Sequence, residues 1–119
     1  MDRWAIAERR KQYQRALAET IERVVSALAR RPEVERAILF GSYAQGRADL
    51  LTDLDILIVM ESPLDFVART AEMHRYLSGL VDMDLFVYTP EEVARHGERP
   101  FIRQALENGK VIYEKQAPG

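Results

Sequence analysis

Residues 41–60 read GSYAQGRADLLTDLDILIVM, and this stretch decides the fold. Its last part, residues 53–60 (DLDILIVM), begins with two acids and then becomes an unbroken apolar run. A strand with one wet face alternates, whereas a strand covered on both faces reads as a continuous apolar run. Residues 53–60 are therefore expected as a buried position in a sheet. The first part opens on Gly41-Ser42 and continues through small and polar residues, the composition of a turn leading into a short helix.

Working outward, residues 34–40 (VERAILF) form a second expected strand that ends at Gly41-Ser42. Upstream, residues 2–30 contain neither proline nor glycine. There Leu17, Ile21, Val24, Val25 and Leu28 recur at steps of three and four and so share one face of a long N-terminal helix. Arg31 precedes Pro32, which disfavours helical backbone at that point. Trp4, Ile6 and Tyr13 carry apolar surface toward the N-terminus, available to the domain or to a partner.

Downstream, Pro63 and Asp65 introduce a helix running to about Leu80, with Phe66, Thr70, Met73 and Leu77 spaced to face the sheet. Residues 81–88 (VDMDLFVY) form a third expected strand. Thr89 and Pro90 have the chemistry of a helix N-cap and first helical position. Pro100 separates that helix from a last one at residues 101–108, closed by Gly109, and residues 111–113 suit a short final strand. Strands and helices thus alternate, giving an α/β (α+β) class: a small mixed β-sheet with helices packed on it. The whole chain, 1–119, is expected as one domain, with an N-terminal helix over 1–31 and a core over 34–114.

Composition narrows the function classes. The 17 basic and 19 acidic residues nearly balance, which argues against a protein that coats nucleic acid through a basic excess. There is no cysteine, which excludes disulfides, thiolate catalysis and cysteine zinc sites. No secretory leader or membrane-spanning run is visible, so a cytoplasmic location is expected. His74 and His96 lack metal-ligand spacing, and the run Arg9-Arg10-Lys11 reads as a solvated helix face.

Three pieces carry chemistry. Gly41-Ser42 at a strand end suits phosphate, because glycine lets the backbone approach closely and serine adds a hydroxyl donor. Alone it is a weak signal, since the same pair is common in turns. Asp53 and Asp55 lie two residues apart on an expected strand, so their carboxylates share a face. Two such groups repel unless a proton or cation intervenes, and magnesium is the hard ion that takes carboxylate and phosphate oxygens together. Asp82 and Asp84 repeat the arrangement on the third strand. If the two strands are neighbours, one of that pair completes a triad; Asp84, nearer the run LFVY, is favoured and Asp82 is the alternative. Glycines at the Walker spacing are present as well, but Arg47-Ala48 stands where a P-loop needs Lys-Ser/Thr.

Together these residues resemble the minimal nucleotidyltransferases of the DNA polymerase β superfamily. The family motif is Gly-Ser, ten residues, then Asp-x-Asp, matched by Gly41-Ser42, residues 43–52 and Asp53-Leu54-Asp55. Ala44, Gly46, the strand with Asp84 and the ending FIRQALENGKVIYE also fit, so the resemblance covers roughly residues 34–114. Gln45 stands where a basic residue is frequent, and Thr52 replaces a frequent serine. The resemblance implies a polymerase β-like fold and Mg²⁺-dependent transfer of a nucleotide, with two metal ions. Asp53, Asp55 and Asp84 would be the catalytic and metal-binding residues, and Gly41 and Ser42 would grip the triphosphate of ATP. It also implies a partner, because minimal nucleotidyltransferases are often antitoxins that adenylylate a HEPN ribonuclease toxin. The alternatives are a non-catalytic antitoxin acting by occlusion and a homodimer that modifies a small molecule.

Overall fold

The structure, a computed structural model, describes residues 3–44, 53–77 and 82–116. The expectations that fall on residues 45–52 and 78–81 lie outside the described residues. The elements run in the order α1 (Arg3–Ala29), β1 (Val34–Phe40), α2 (Gly41–Ala44), β2 (Leu54–Met60), α3 (Phe66–Tyr76), β3 (Met83–Tyr88), α4 (Pro90–His96), α5 (Pro100–Asn108) and β4 (Lys110–Glu114). The sheet order is β3-β2-β1-β4. It is mixed: β1 pairs antiparallel with β2 and with β4, while β2 and β3 are parallel.

The apolar run of residues 56–60 is explained by position, because β2 is an interior strand covered on both faces. On one face Leu54, Ile56, Ile58 and Met60 pack with Leu17, Val24 and Leu28 of α1, with Met73 of α3 and with Leu77 at its C-terminal end. On the other, Leu57 and Val59 join Ile38 and Ala105, with Val93 and Leu106 of α4 and α5 packed against them. Alternation along β2 therefore sends Leu57 and Val59, and with them Asp55, toward the α4–α5 face. On β3, Leu85 and Val87 belong to the opposite core, so Asp84 and Phe86 share the face of Asp55.

Two helix starts match their sequence signals. Asp65 caps α3 by accepting from the Ala68 amide, and Thr89 caps α4 in a full capping box with Glu92. Gly109 closes α5, as expected, in extended backbone (φ −78°). Glycine gives room there: a Cβ would lie 2.3 Å from the Ala105 carbonyl oxygen and 2.4 Å from Ile38 Cγ2.

The α3 pattern also needs one correction. Phe66 is 40% exposed and lies on the Tyr88 ring, while the buried face of α3 carries Arg69 beside Met73. Arg69 is tolerated inside because all three nitrogens of its guanidinium find an acceptor. Nη2 donates to Glu92 Oε2 at 3.0 Å, Nη1 to the other Glu92 oxygen and to the Val87 carbonyl, and Nε to the Leu64 carbonyl. This fork ties α3 to α4 across the end of β3. It holds the Glu92 carboxyl down to about 2, chiefly through the Arg69 hydrogen bonds.

Candidate active site

The parallel register of β2 and β3 sets Asp55 directly opposite Asp84. Both are near the start of their strands, where the sheet opens beside α2. Asp82 lies just ahead of β3, where its carbonyl accepts from the Leu54 amide at 3.3 Å. Its place is therefore at the level of Asp53, one step farther out, and Asp84 is the carboxylate facing Asp55. Asp53 precedes β2 in an exposed position, close enough for its charge to act on Asp55.

Asp55 is the most constrained member of the group. Its proton affinity is raised above the ordinary carboxylate value, first by partial burial, then by the charge and hydrogen bonding of Asp84, and last by Asp53. The fourth side of Asp55 is Gly41. A Cβ on Gly41 would lie 2.2 Å from Asp55 Oδ2, far inside contact distance. Gly41 also has φ +79°, a backbone state that L side chains rarely adopt. Two independent requirements, space and backbone conformation, thus select glycine here. The sequence pattern by itself points only to phosphate approach at this residue. Ser42 follows in the first turn of α2.

The structure brings together Gly41, Asp55 and Asp84, with Asp53 at the mouth. Among the described residues no three acidic or histidine side chains converge into a ready-made metal cage. The donor set nevertheless suits one kind of ion. Magnesium keeps several waters and is held by one or two carboxylates together with substrate phosphates, whereas a cage of protein ligands would suit calcium or zinc. Two opposed carboxylates, one with raised proton affinity, form a hard anionic pair open to solvent on one side. Asp55 and Asp84 are the residues that would hold such an ion, with Asp53 nearest to add a further oxygen.

An aromatic wall stands on the same face. Phe40, the β1 partner of Asp55, lies 5.5 Å from Phe86 and 5.6 Å from Phe101 between ring centroids, and Phe86 and Phe101 are 4.8 Å apart. Sequence reading did not single out this trio. Its members lie on three elements whose proximity depends on sheet order, so no local spacing signals it.

The family model described as "Polymerase beta, Nucleotidyltransferase" matches residues 22–118. The chain belongs to this nucleotidyltransferase family. A protein of Methanocaldococcus jannaschii provisionally named a protein adenylyltransferase is 34% identical over 83 residues, which is 70% of this chain and 82% of that relative. Among solved structures, a toxin–antitoxin with AMP-PNP matches with a TM-score of 0.56 and 25% identity, covering 81% of this chain and 74% of that one. The toxin–antitoxin MntA–HpeT with a tyrosine-to-alanine replacement matches with a TM-score of 0.53 and 25% identity, over 80% and 72% of the two chains. The mixed sheet with a long N-terminal helix is thus the polymerase β-like nucleotidyltransferase fold. Among the described residues no helix is long and apolar enough to cross a membrane.

Proposed function

We propose that this nucleotidyltransferase transfers AMP from Mg·ATP to a hydroxyl of a protein partner, as an antitoxin that adenylylates a HEPN ribonuclease toxin in the cytoplasm. The observation that carries the reading is the opposition of Asp55 and Asp84 beside Gly41, where positive φ and the nearness of Asp55 both favour glycine. The provisional name of the M. jannaschii relative and the toxin–antitoxin structures support the acceptor and partner classes. Residues 1–119 act in this reading as one nucleotidyltransferase unit, α1 joined to a catalytic core over 34–114.

Asp55 and Asp84, joined by Asp53, would hold magnesium, two ions in the full arrangement. When bound, the metal neutralises charge on the triphosphate and makes the attacking hydroxyl more acidic. Gly41 keeps space open beside Asp55 so that phosphate oxygens can approach, and Ser42 donates to the β- and γ-phosphates. Asp84, exposed and on the outer side of the pair, accepts the proton of the acceptor hydroxyl. The new bond joins the acceptor oxygen to the α-phosphorus, and pyrophosphate leaves.

The test is intact-mass spectrometry of the chain incubated with Mg·ATP and the protein encoded beside it. A gain of one AMP on that protein, abolished by the double replacement Asp53→Asn and Asp55→Asn, is the expected result. Full transfer by the double variant would refute the mechanism. A second reading rests on α1, whose buried residues are Leu17, Thr20, Val24 and Leu28, and whose Trp4 is 75% exposed. In that reading α1 neutralises the partner by occlusion, and the double variant still binds and protects. Transfer to a small molecule by a homodimer, with no protein partner present, is the remaining outcome the same assay separates.

A further inference from the structure

The first half of α1 packs only lightly on the rest of the chain. The buried residues of the helix begin at Leu17, and none of residues 3–16 is buried. A helix of that length gains little from its own hydrogen bonds in water and depends on packing. Residues 3–15 also carry five basic side chains, Arg3, Arg9, Arg10, Lys11 and Arg15, against the single acid Glu8, in a chain whose formal charge is −2. All five are exposed, and none is in an ion pair among the described residues. These turns precede the stretch matched to the family, which begins at residue 22, so the catalytic fold does not account for them. The second half of α1 has the opposite balance, with Glu19 and Glu22 against Arg23.

We propose that the outer face of α1 pairs antiparallel with the same face of a second copy of this chain, the basic half of each helix lying on the acid-bearing half of the other. The register is written along the helix. On the side turned from the core, a stripe at alternating steps of four and three runs from Trp4 to Ala29, the spacing that lets two helices share a seam. With a two-fold axis between Ala16 and Leu17, Lys11 meets Glu22 of the second copy, and neither is in an ion pair among the described residues. In the same register Arg15 lies over Ala18, Glu8 over Val25, and the 75% exposed ring of Trp4 over Ala29, so long side chains fall on small ones. Two-fold symmetry makes each of these contacts twice. Parallel pairing would set Lys11 on Lys11 and Glu22 on Glu22, with repulsion in both layers. Asp55 and Asp84 lie on the other face of the sheet from α1, so the pairing leaves both carboxylate pairs open. The inference holds whether or not the acceptor is a protein. In the occlusion reading the toxin takes this surface, and self-pairing would then compete with toxin capture for Trp4.

The experiment is sedimentation velocity of the purified chain over a concentration series, with wild type, Lys11→Glu, Glu22→Lys and an equimolar mixture of the two variants. Both positions are exposed, so the replacements leave the core intact, and thermal melts verify folding. Wild type is expected to form a dimer that weakens as salt rises. Each single replacement sets like charges against each other in two layers and is expected to weaken association by about 10-fold or more. Mixing the variants restores opposite charges in both layers, so the mixture is expected to recover the dimer that neither forms alone. A wild type that stays monomeric throughout the series overturns the proposal. So do single variants that self-associate as tightly as wild type, and folded variants whose mixture remains monomeric.

Discussion

Replacing Asp55 by asparagine should make the metal-free protein more stable and the metal-loaded protein relatively less so. Asp55 faces Asp84 as a direct cross-strand pair and is partly buried. Like charges directly opposite on a sheet cost up to about 1 kcal/mol, a range that already includes solvent screening. Partial burial adds to that cost, so a gain of about 1 kcal/mol is expected for the uncharged amide of the same shape. For a chain of 119 residues this raises the melting temperature by about 3–5 °C. The pH dependence has a definite sign. The folded-state proton affinity of Asp55 is raised, so wild-type stability falls as pH climbs from the ordinary carboxylate value through the raised one, and the cost is complete above it. The variant lacks that segment of the curve. Magnesium reverses the order: at ten times its dissociation constant a ligand stabilises the native state by about 1.4 kcal/mol, and Asp55→Asn forfeits most of this. Melting both proteins in EDTA and in Mg²⁺, from pH 4 to pH 8, measures all three effects. A variant less stable than wild type in EDTA, or one that gains as much from Mg²⁺, would show that Asp55 is a structural residue and not one held under strain for a cation.

Glu92→Gln should destabilise the fold by about 2–4 kcal/mol, because it strands the buried Arg69 guanidinium, and chemical denaturation measures the loss. The wild-type contribution is fully present above the ordinary Glu value of 4.5 and is lost as pH falls through about 2, so the two curves should converge in acid. Gly41→Ala should destabilise by about 1–3 kcal/mol through positive φ and the collision with Asp55, and abolish AMP transfer in the mass assay; a variant with unchanged activity would remove Gly41 from the site. Trp4→Ala should leave stability within about 0.5 kcal/mol, since the ring is 75% exposed, while weakening capture of the protein partner in a pull-down; unchanged capture would assign the partner surface elsewhere.

The strands, the helices and their order were legible in the sequence because each is set by local chemistry. The run ILIVM needs no context to be a buried strand, and Thr89-Pro90-x-Glu92 writes its own helix start. The spacing of Gly-Ser to Asp-x-Asp was legible for the same reason, as a pattern along a single stretch of chain. Other features belong to the tertiary structure alone. Whether Asp82 or Asp84 faces Asp55 depends on strand register, which a sequence specifies only through the packing of both faces at once. Arg69 occupies a position that periodicity gives to a hydrophobe, and only the arrival of Glu92 and two carbonyls from other segments makes that burial tolerable. Gly109 follows the same rule: the sequence marks it as the end of α5, but the crowding that favours glycine comes from Ile38 on β1, 71 residues away along the chain. The Phe40, Phe86 and Phe101 wall likewise exists only once the order β3-β2-β1-β4 lays α5 across the sheet. Periodicity and spacing are properties of neighbours in the chain, whereas register, ion-pair partners and steric room are properties of neighbours in space.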